Sequence, residues 1–180
     1  MSPQTTTVIG EVQARVLQPS DAEPLTTAHR LNREHLAPWE PERPEAFFTT
    51  EGQQGNIAAR LALHKAGSEI PWVLLTGQRV IGTITLTGIV RGPFLSAHLG
   101  YWIDKEMNGR GIASAAVRFA IKTATTELGL HRLQAATLRH NAGSRKVLAR
   151  AGFDVIGLAP SYLNIAGSWQ DHLLFQRILH

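Results

Sequence analysis

Cysteine is absent from this chain of 180 residues, which removes disulfides, thiolate metal sites and cysteine nucleophiles together. Long apolar runs are missing as well: nothing approaches the ~20 residues that a membrane-spanning helix needs. The opening "MSPQTTTVIG" lacks the basic start and apolar stretch of a signal peptide, so a cytoplasmic protein without membrane contact is the expectation. There is no block of like charge. The net charge of +4 is spread along the chain, which reads as a mildly basic solvated surface. That surface suits a polyanionic ligand or a nucleic-acid-rich partner such as a ribosome, but it offers no arm for direct nucleic-acid binding. Eight histidines are present, yet none stands in an H-x-x-x-H or H-E-x-x-H arrangement, so the expectation is no metal.

The length suits a single domain over residues 1–180 with a proper core, the first ten residues forming a loose tail. "VQARVLQ" alternates as a strand, and "PSDAEPLTTAHRLNREHL" follows as a helix with Ser20 or Asp21 as its N-cap. Three prolines in "APWEPERPEAFF" end it in a loop. "GNIAARLALHKAG" has helical spacing and stops at Gly67. The strands "PWVLLT" and "RVIGTITLTGIV" are joined by "GQ" as a hairpin, and "LSAHLGYWI" continues the sheet. A helix from about Gly111 carries apolar positions at helical period opposite a stripe of Ser114, Arg118 and Lys122. "HRLQAATL" reads as a strand and "NAGSRKVLARAG" as a short helix capped by Asn141 and stopped by Gly152. "FDVIGL" and "SWQDHLLFQRIL" close the chain as strands. The expected order β-αα-βββ-α-β-α-ββ makes a mixed α/β (α+β) fold, an antiparallel sheet joined by one β-α-β crossover.

The handover from "HLGYWI" to "ASAAVRFAIKTATTEL" passes through "NGRGIA", residues 108–113. A helix N-terminus has four unpaired N–H groups and a positive end, so it attracts anions. Gly109 and Gly111 would let successive amides curl toward a phosphate, and Ala113 and Ser114 would leave room against the first helical turn. Arg110 is either a charge for that anion or a solvated side chain. No Gly-Lys-Ser/Thr follows, which excludes the Walker pattern. The dinucleotide fingerprint is nearly met, but the next strand ends in "RHN" rather than in an acidic residue, and an antiparallel first half disagrees with a Rossmann sheet.

Read as Asn108-x-x-Gly111-x-Ala113, the turn resembles the Q/R-x-x-G-x-G/A pyrophosphate loop of the GNAT acetyltransferases, with Asn108 in place of the usual Gln or Arg. "HNAGSRKVLARAGF" resembles that superfamily's H-N-x-x-S-x-x-v-l-x-x-x-G-F segment. Over nearly the whole chain, "NREHLAPWEPERPE", "VRGPFLSAHLGYWI" and "YLNIAGSWQDHLLFQRIL" are similar to the RimJ branch of ribosomal-protein N-terminal alanine acetyltransferases. The resemblance implies a GNAT fold and acetyl-CoA as co-substrate. It implies a ribosomal or other protein N-terminus as acceptor. Whether the chain forms a homodimer stays open.

The resemblance also implies site residues. The backbone at Asn108, Gly109, Arg110, Gly111, Ile112, Ala113 and Ser114 would hold the CoA diphosphate. Asn141 would bond the pantetheine or pyrophosphate side, and Ser144 would lie near the sulfur. The N–H of Trp102 or Ile103 would receive the developing oxyanion, Trp39 would wall the acceptor pocket, and Glu40 would hold or deprotonate the amine. Ser144 or Tyr162 would protonate the departing thiolate. Related RimL-type enzymes carry a glutamate where this chain has Ser161. A missing base would disable a lysine acceptor, which is only about 0.04% neutral at pH 7; it would matter far less for an α-amine, of which roughly a tenth or more is neutral. On their own, Asn141 reads as a helix cap, Tyr101 and Trp102 as core packing, Glu40 as an exposed loop carboxylate, and His140 and His172 as local hydrogen bonders. Two other readings share these residues: acetylation of a small-molecule amine such as an antibiotic or aminoacyl nucleotide, and a non-catalytic acyl-CoA-binding module, which the missing carboxylate at Ser161 favours.

Overall fold

A computed structural model describes residues 5–180 of the chain. The strands are β1 (Thr6–Ile9), β2 (Val12–Val16), β3 (Glu69–Thr76), β4 (Arg79–Val90), β5 (Ser96–Ile103), β6 (Arg132–Leu138), β7 (Asp154–Ile165) and β8 (Ser168–Ile178). The helices are α1 (Ala22–Leu31), α2 (Arg33–Leu36), α3 (Thr50–Lys65), α4 (Ile112–Thr126) and α5 (Ala142–Arg150). The strands form one sheet in the order β1-β2-β3-β4-β5-β6-β8-β7. The β5–β6 pair is parallel and is linked through α4; the other neighbours are antiparallel.

Successive side chains on a strand point to opposite faces, and both faces of β3 are buried. Trp72 and Leu74 join the larger core, where α4 contributes Ala116, Val117 and Ala120 and α5 contributes Leu148. Val73 and Leu75 join the second core under α1 and α3, with Leu25, Ala28 and Ile57. The small side chains of α4 let the helix lie close to the sheet, and alanine is also the strongest helix former. The α4/α5 face and the α1/α3 face are the two sides of the site described below.

The structure departs from the sequence reading at four places. The expected loose tail contains β1, paired with β2; residues 1–4 lie outside the described residues. α3 begins at Thr50 rather than near Gly55, because the Thr49 hydroxyl accepts from Gly52 N at 3.1 Å and caps it. Gly52 also lies so close to the Ala46 carbonyl that a Cβ there would collide, a tertiary contact that overrides the weak helix propensity of "TEGQQG". Asp21 precedes α1 but does not cap it. Its buried carboxylate instead pairs with Arg15 on β2 at 2.6 and 2.8 Å and accepts from Gln18 N. β7 continues through Ile165, with a bulge between Ala159 and Leu163 where Ser161 takes φ 47° and its N–H donates to Asp171 at 3.0 Å.

Candidate active site

Strands β5 and β6 pair only at Ser96–Arg132, Ala97–Leu133 and His98–Gln134. Both continue, β5 to Ile103 and β6 to Leu138. They diverge, and a cavity of about 180 Å³ opens between them, bordered by Leu99, Gly100, Tyr101 and Trp102 from β5 and by Ala135 through Leu138 from β6.

Antiparallel pairing directs alternate peptide groups of β5 toward β4. Asp104 N donates to Ile81 O at 2.8 Å, and a Cβ on Gly82 would collide with the Trp102 carbonyl oxygen. The even-numbered residues of β5 therefore turn their peptide groups to β4, and Leu99, Tyr101 and Ile103 turn theirs to the opening. Of the two expected oxyanion donors, Ile103 has its N–H on the open side and Trp102 does not. Tyr101, whose main chain the sequence reading passed over, shares the open side.

On the α4/α5 face, Asp104 caps a single 3-10 turn, Lys105–Met107, that leads into the glycine-bearing bend. Gly109 and Gly111 have φ 76° and 74°, a left-handed conformation open to glycine at little cost. A Cβ at either would meet no atom within 4 Å, so backbone conformation and not crowding makes the demand. The first helical bond of α4 at this end runs from Ala115 N to Gly111 O at 3.0 Å. The amides of Ile112, Ala113 and Ser114 precede it and are the unpaired first-turn donors. The Ile112 side chain is buried in the core, which leaves only its main chain at the bend. Asn108 bonds His35 Nε2 through its side-chain nitrogen at 3.2 Å, and Arg110 is exposed. Asn141 caps α5, its Oδ1 accepting from Ser144 N at 3.1 Å, and it borders the cavity together with Ser144. Ser144 Oγ lies 2.9 Å from the Tyr101 hydroxyl. Burial pushes that hydroxyl up to about 12, against a smaller opposing effect of the serine bond.

The opposite face carries Leu36, Trp39 and Glu40, which border the same cavity. Trp39 packs on the His140 ring at 5.4 Å. The Glu40 carboxyl is held above the usual range by burial, an effect that Arg43, 3.6 Å away, partly offsets. A second cavity of about 310 Å³ shares Leu36 and Glu40 and adds His29, Arg33, Arg43, Phe47 and Phe48. The loop is fastened from the β7–β8 turn, where Ala166 N donates to Glu40 O at 3.0 Å and Gly167 leaves just enough room for the Glu42 carboxylate. His29, packed against Trp102 and Phe47, is lowered to about 4 by burial and by the charges of Arg43 and Arg60, so it stays neutral near pH 7.

Tyr162 is not brought to Ser144. It stands on the bulged, exposed part of β7 with its ring 5.7 Å from that of His172, outside the lining of the cavity. The bulge beginning at Ala159 turns it outward, a feature that strand periodicity does not announce. Two residues set aside in the sequence lie in the cavity instead. Tyr101 falls in the α4-side row with Leu99 and Ile103, and its hydroxyl amid apolar neighbours was the available signal. His172, on β8, pairs with Leu138 at the edge of the opening. Among the described residues no three His, Asp or Glu side chains converge as metal ligands, and no helix is long and apolar enough to cross a membrane.

Residues 12–154 match the family described as acetyltransferase (GNAT) domain. The chain is 35% identical over 162 residues to the [ribosomal protein uS5]-alanine N-acetyltransferase of Escherichia coli (strain K12), covering 89% of this chain and 84% of that protein. Its structure superposes on the ribosomal-protein-S5-alanine acetyltransferase of Vibrio fischeri with a TM-score of 0.92 at 38% identity, covering 97% of this chain and 96% of that one. Mycobacterium smegmatis RimJ, solved in complex with CoA-disulfide, superposes with a TM-score of 0.89 at 30% identity over 93% of this chain and 81% of that one.

Proposed function

We propose, from the premise that the chain belongs to the GNAT acetyltransferase family, that this N-acetyltransferase moves an acetyl group from acetyl-CoA to the α-amine of a protein N-terminus, with an Ala or Ser end of a ribosomal protein as the expected acceptor. The observation that carries the reading is the opening between β5 and β6, with the unpaired amides of α4 on one face and the Trp39–Glu40 loop on the other. Donor and acceptor then approach one another through the sheet, which holds them in reacting geometry. Relatives named for S5-alanine acetylation match 89% of this chain in sequence and 97% in structure, and a relative solved with CoA-disulfide supports the donor.

Acetyl-CoA supplies an activated acyl carbon with a thiolate leaving group. The residues present fit it: left-handed glycines with open space beside them, first-turn amides for a diphosphate, and a row of free peptide groups along β5 for the pantetheine arm. The N–H groups of Tyr101 and Ile103 point where charge develops on the carbonyl oxygen, a fixed arrangement that needs no reorganisation during reaction. Glu40 holds the acceptor nitrogen beside Trp39. The Ser144–Tyr101 hydroxyl pair hydrogen-bonds the departing sulfur. A thiol of pKa about 8.5 leaves readily as thiolate, and a phenol near 12 is too weak an acid to transfer its proton fully, so the pair orients and solvates the sulfur.

CoA release with peptides bearing a free N-terminal Ala or Ser tests the reading. Turnover of those peptides, and none of a peptide whose only amine is a lysine, is the expected result. Turnover confined to lysine or to small amines would move the acceptor assignment, and acetyl-CoA binding without turnover of any amine would remove the enzymatic one.

A further inference from the structure

His172 occupies a position that the chemistry above does not use. It is only 3% exposed, yet its ring borders the cavity between β5 and β6. Its face of the sheet is fixed by register. On β8 it pairs with Leu138, and Leu174 with Ala136, whereas Phe175 pairs with Ala135 in the α4-side core. Alternation therefore turns His172 to the face of Trp39 and Glu40, where the amine enters, and away from Ser144 and Tyr101.

The tautomer of its neutral ring is set by one contact. Nδ1 lies 2.9 Å from the Gln170 carbonyl oxygen. A carbonyl only accepts, so Nδ1 carries the hydrogen and the neutral ring keeps its lone pair on Nε2. This hydrogen bond also fixes the ring, leaving Nε2 the free nitrogen beside the cavity.

We propose that His172 is the proton acceptor for the attacking amine, through Nε2. The inference rests on the acetyl-transfer reading. The nitrogen forms its bond to the acetyl carbon, the carbon–sulfur bond breaks with its electron pair going to sulfur, and the proton leaving nitrogen passes to Nε2 and then to solvent. The thiolate departs toward Tyr101 and Ser144 on the far face, so proton and leaving group separate on opposite sides of the sheet. Among the titratable groups around His172, the Tyr162 ring lies 5.7 Å away, Glu40 on the loop after α2 borders the same cavity, and His140 stacks on Trp39, which also borders it. His29 lies in the adjoining cavity but holds a proton too weakly to serve.

The test compares His172→Asn with Glu40→Gln, using acetyl-CoA and an N-terminal Ala peptide across pH. Asparagine keeps a donor near Nδ1 for the Gln170 carbonyl and removes the base. The expected result for His172→Asn is a 10²–10⁴-fold lower kcat near neutral pH, on the order of a general base's worth, with the KM for acetyl-CoA unchanged. Its rate should then climb with pH as the amine loses its own proton. Glu40→Gln should raise the acceptor KM and keep the wild-type acid limb. An His172→Asn enzyme within threefold of wild type, or loss of the acid limb in Glu40→Gln alone, overturns the proposal. Should the variant not fold, the wild type decides with a peptide whose α-amine is already neutral at the assay pH. An acid limb that persists supports the base, and its disappearance overturns it. If the wild type turns over some other amine and no peptide, the acceptor reading falls, and the same comparison on that amine still decides His172.

Discussion

At the scale of single residues, burial sets which side chains can carry protons. His29 has its folded-state value near 4, below the ordinary 6.5. The unfolded chain therefore binds a proton between those values while the folded one does not, and stability is lost as pH falls through that window. A shift of that size is worth about 3 kcal/mol. The expectation is a urea midpoint that declines from pH 6.5 to 4 and a flatter decline in His29→Gln, measured by denaturation at a series of pH values. Glu40 runs the other way. Burial raises its value, so ionising it costs the fold something at neutral pH, a feature consistent with a carboxylate kept for a ligand and not for stability.

At the scale of elements, local chemistry was legible wherever it decided the structure. The spacing around "NGRGIA" put a glycine turn before a helix, and the structure has left-handed glycines at both positions and α4 starting directly after them. Asn141 was read as the cap of a helix and is one. Gly111→Ala is the prediction that belongs here. A side chain at φ 74° costs about 1–2 kcal/mol and meets no steric obstacle. Initial-rate kinetics should therefore show a higher KM for acetyl-CoA with kcat little changed, and the variant should remain folded. Where elements are made by partners distant in sequence, the reading fell short. β1 exists because β2 offers it an edge, α3 starts early because Ala46 and Thr49 receive its first turn, and the bulge on β7 moves Tyr162 outward while leaving His172 inward. Asp21 shows the same limit: its position suggested a cap, and a half-buried arginine on β2 claimed it. Of the candidate site, the glycine bend and the Trp39–Glu40 loop could be seen in the sequence because each is one continuous stretch. The place of Tyr101 and His172 in the same cavity could not, because β5, β6 and β8 each contribute a part.

At the scale of the whole molecule, the sheet is nearly two sheets. Three residue pairs join β1–β5 to β6, β8 and β7, with α4 crossing over the join. A ligand seated in the opening contacts both halves and binds only the folded state. At a hundredfold excess over its Kd it adds about 2.7 kcal/mol, which for a chain of this size raises Tm by roughly 5–10 °C. A thermal melt with saturating CoA should show that rise, and Gly111→Ala should show a smaller one at the same concentration. The short join has a further consequence. The molecule resembles a book held by a narrow spine, and the thioester arm would lie in its gutter as an extra strand, giving the pages a common edge. Catalysis would then begin with the donor finishing the architecture, and the acceptor would meet a completed wall only after the donor is in place.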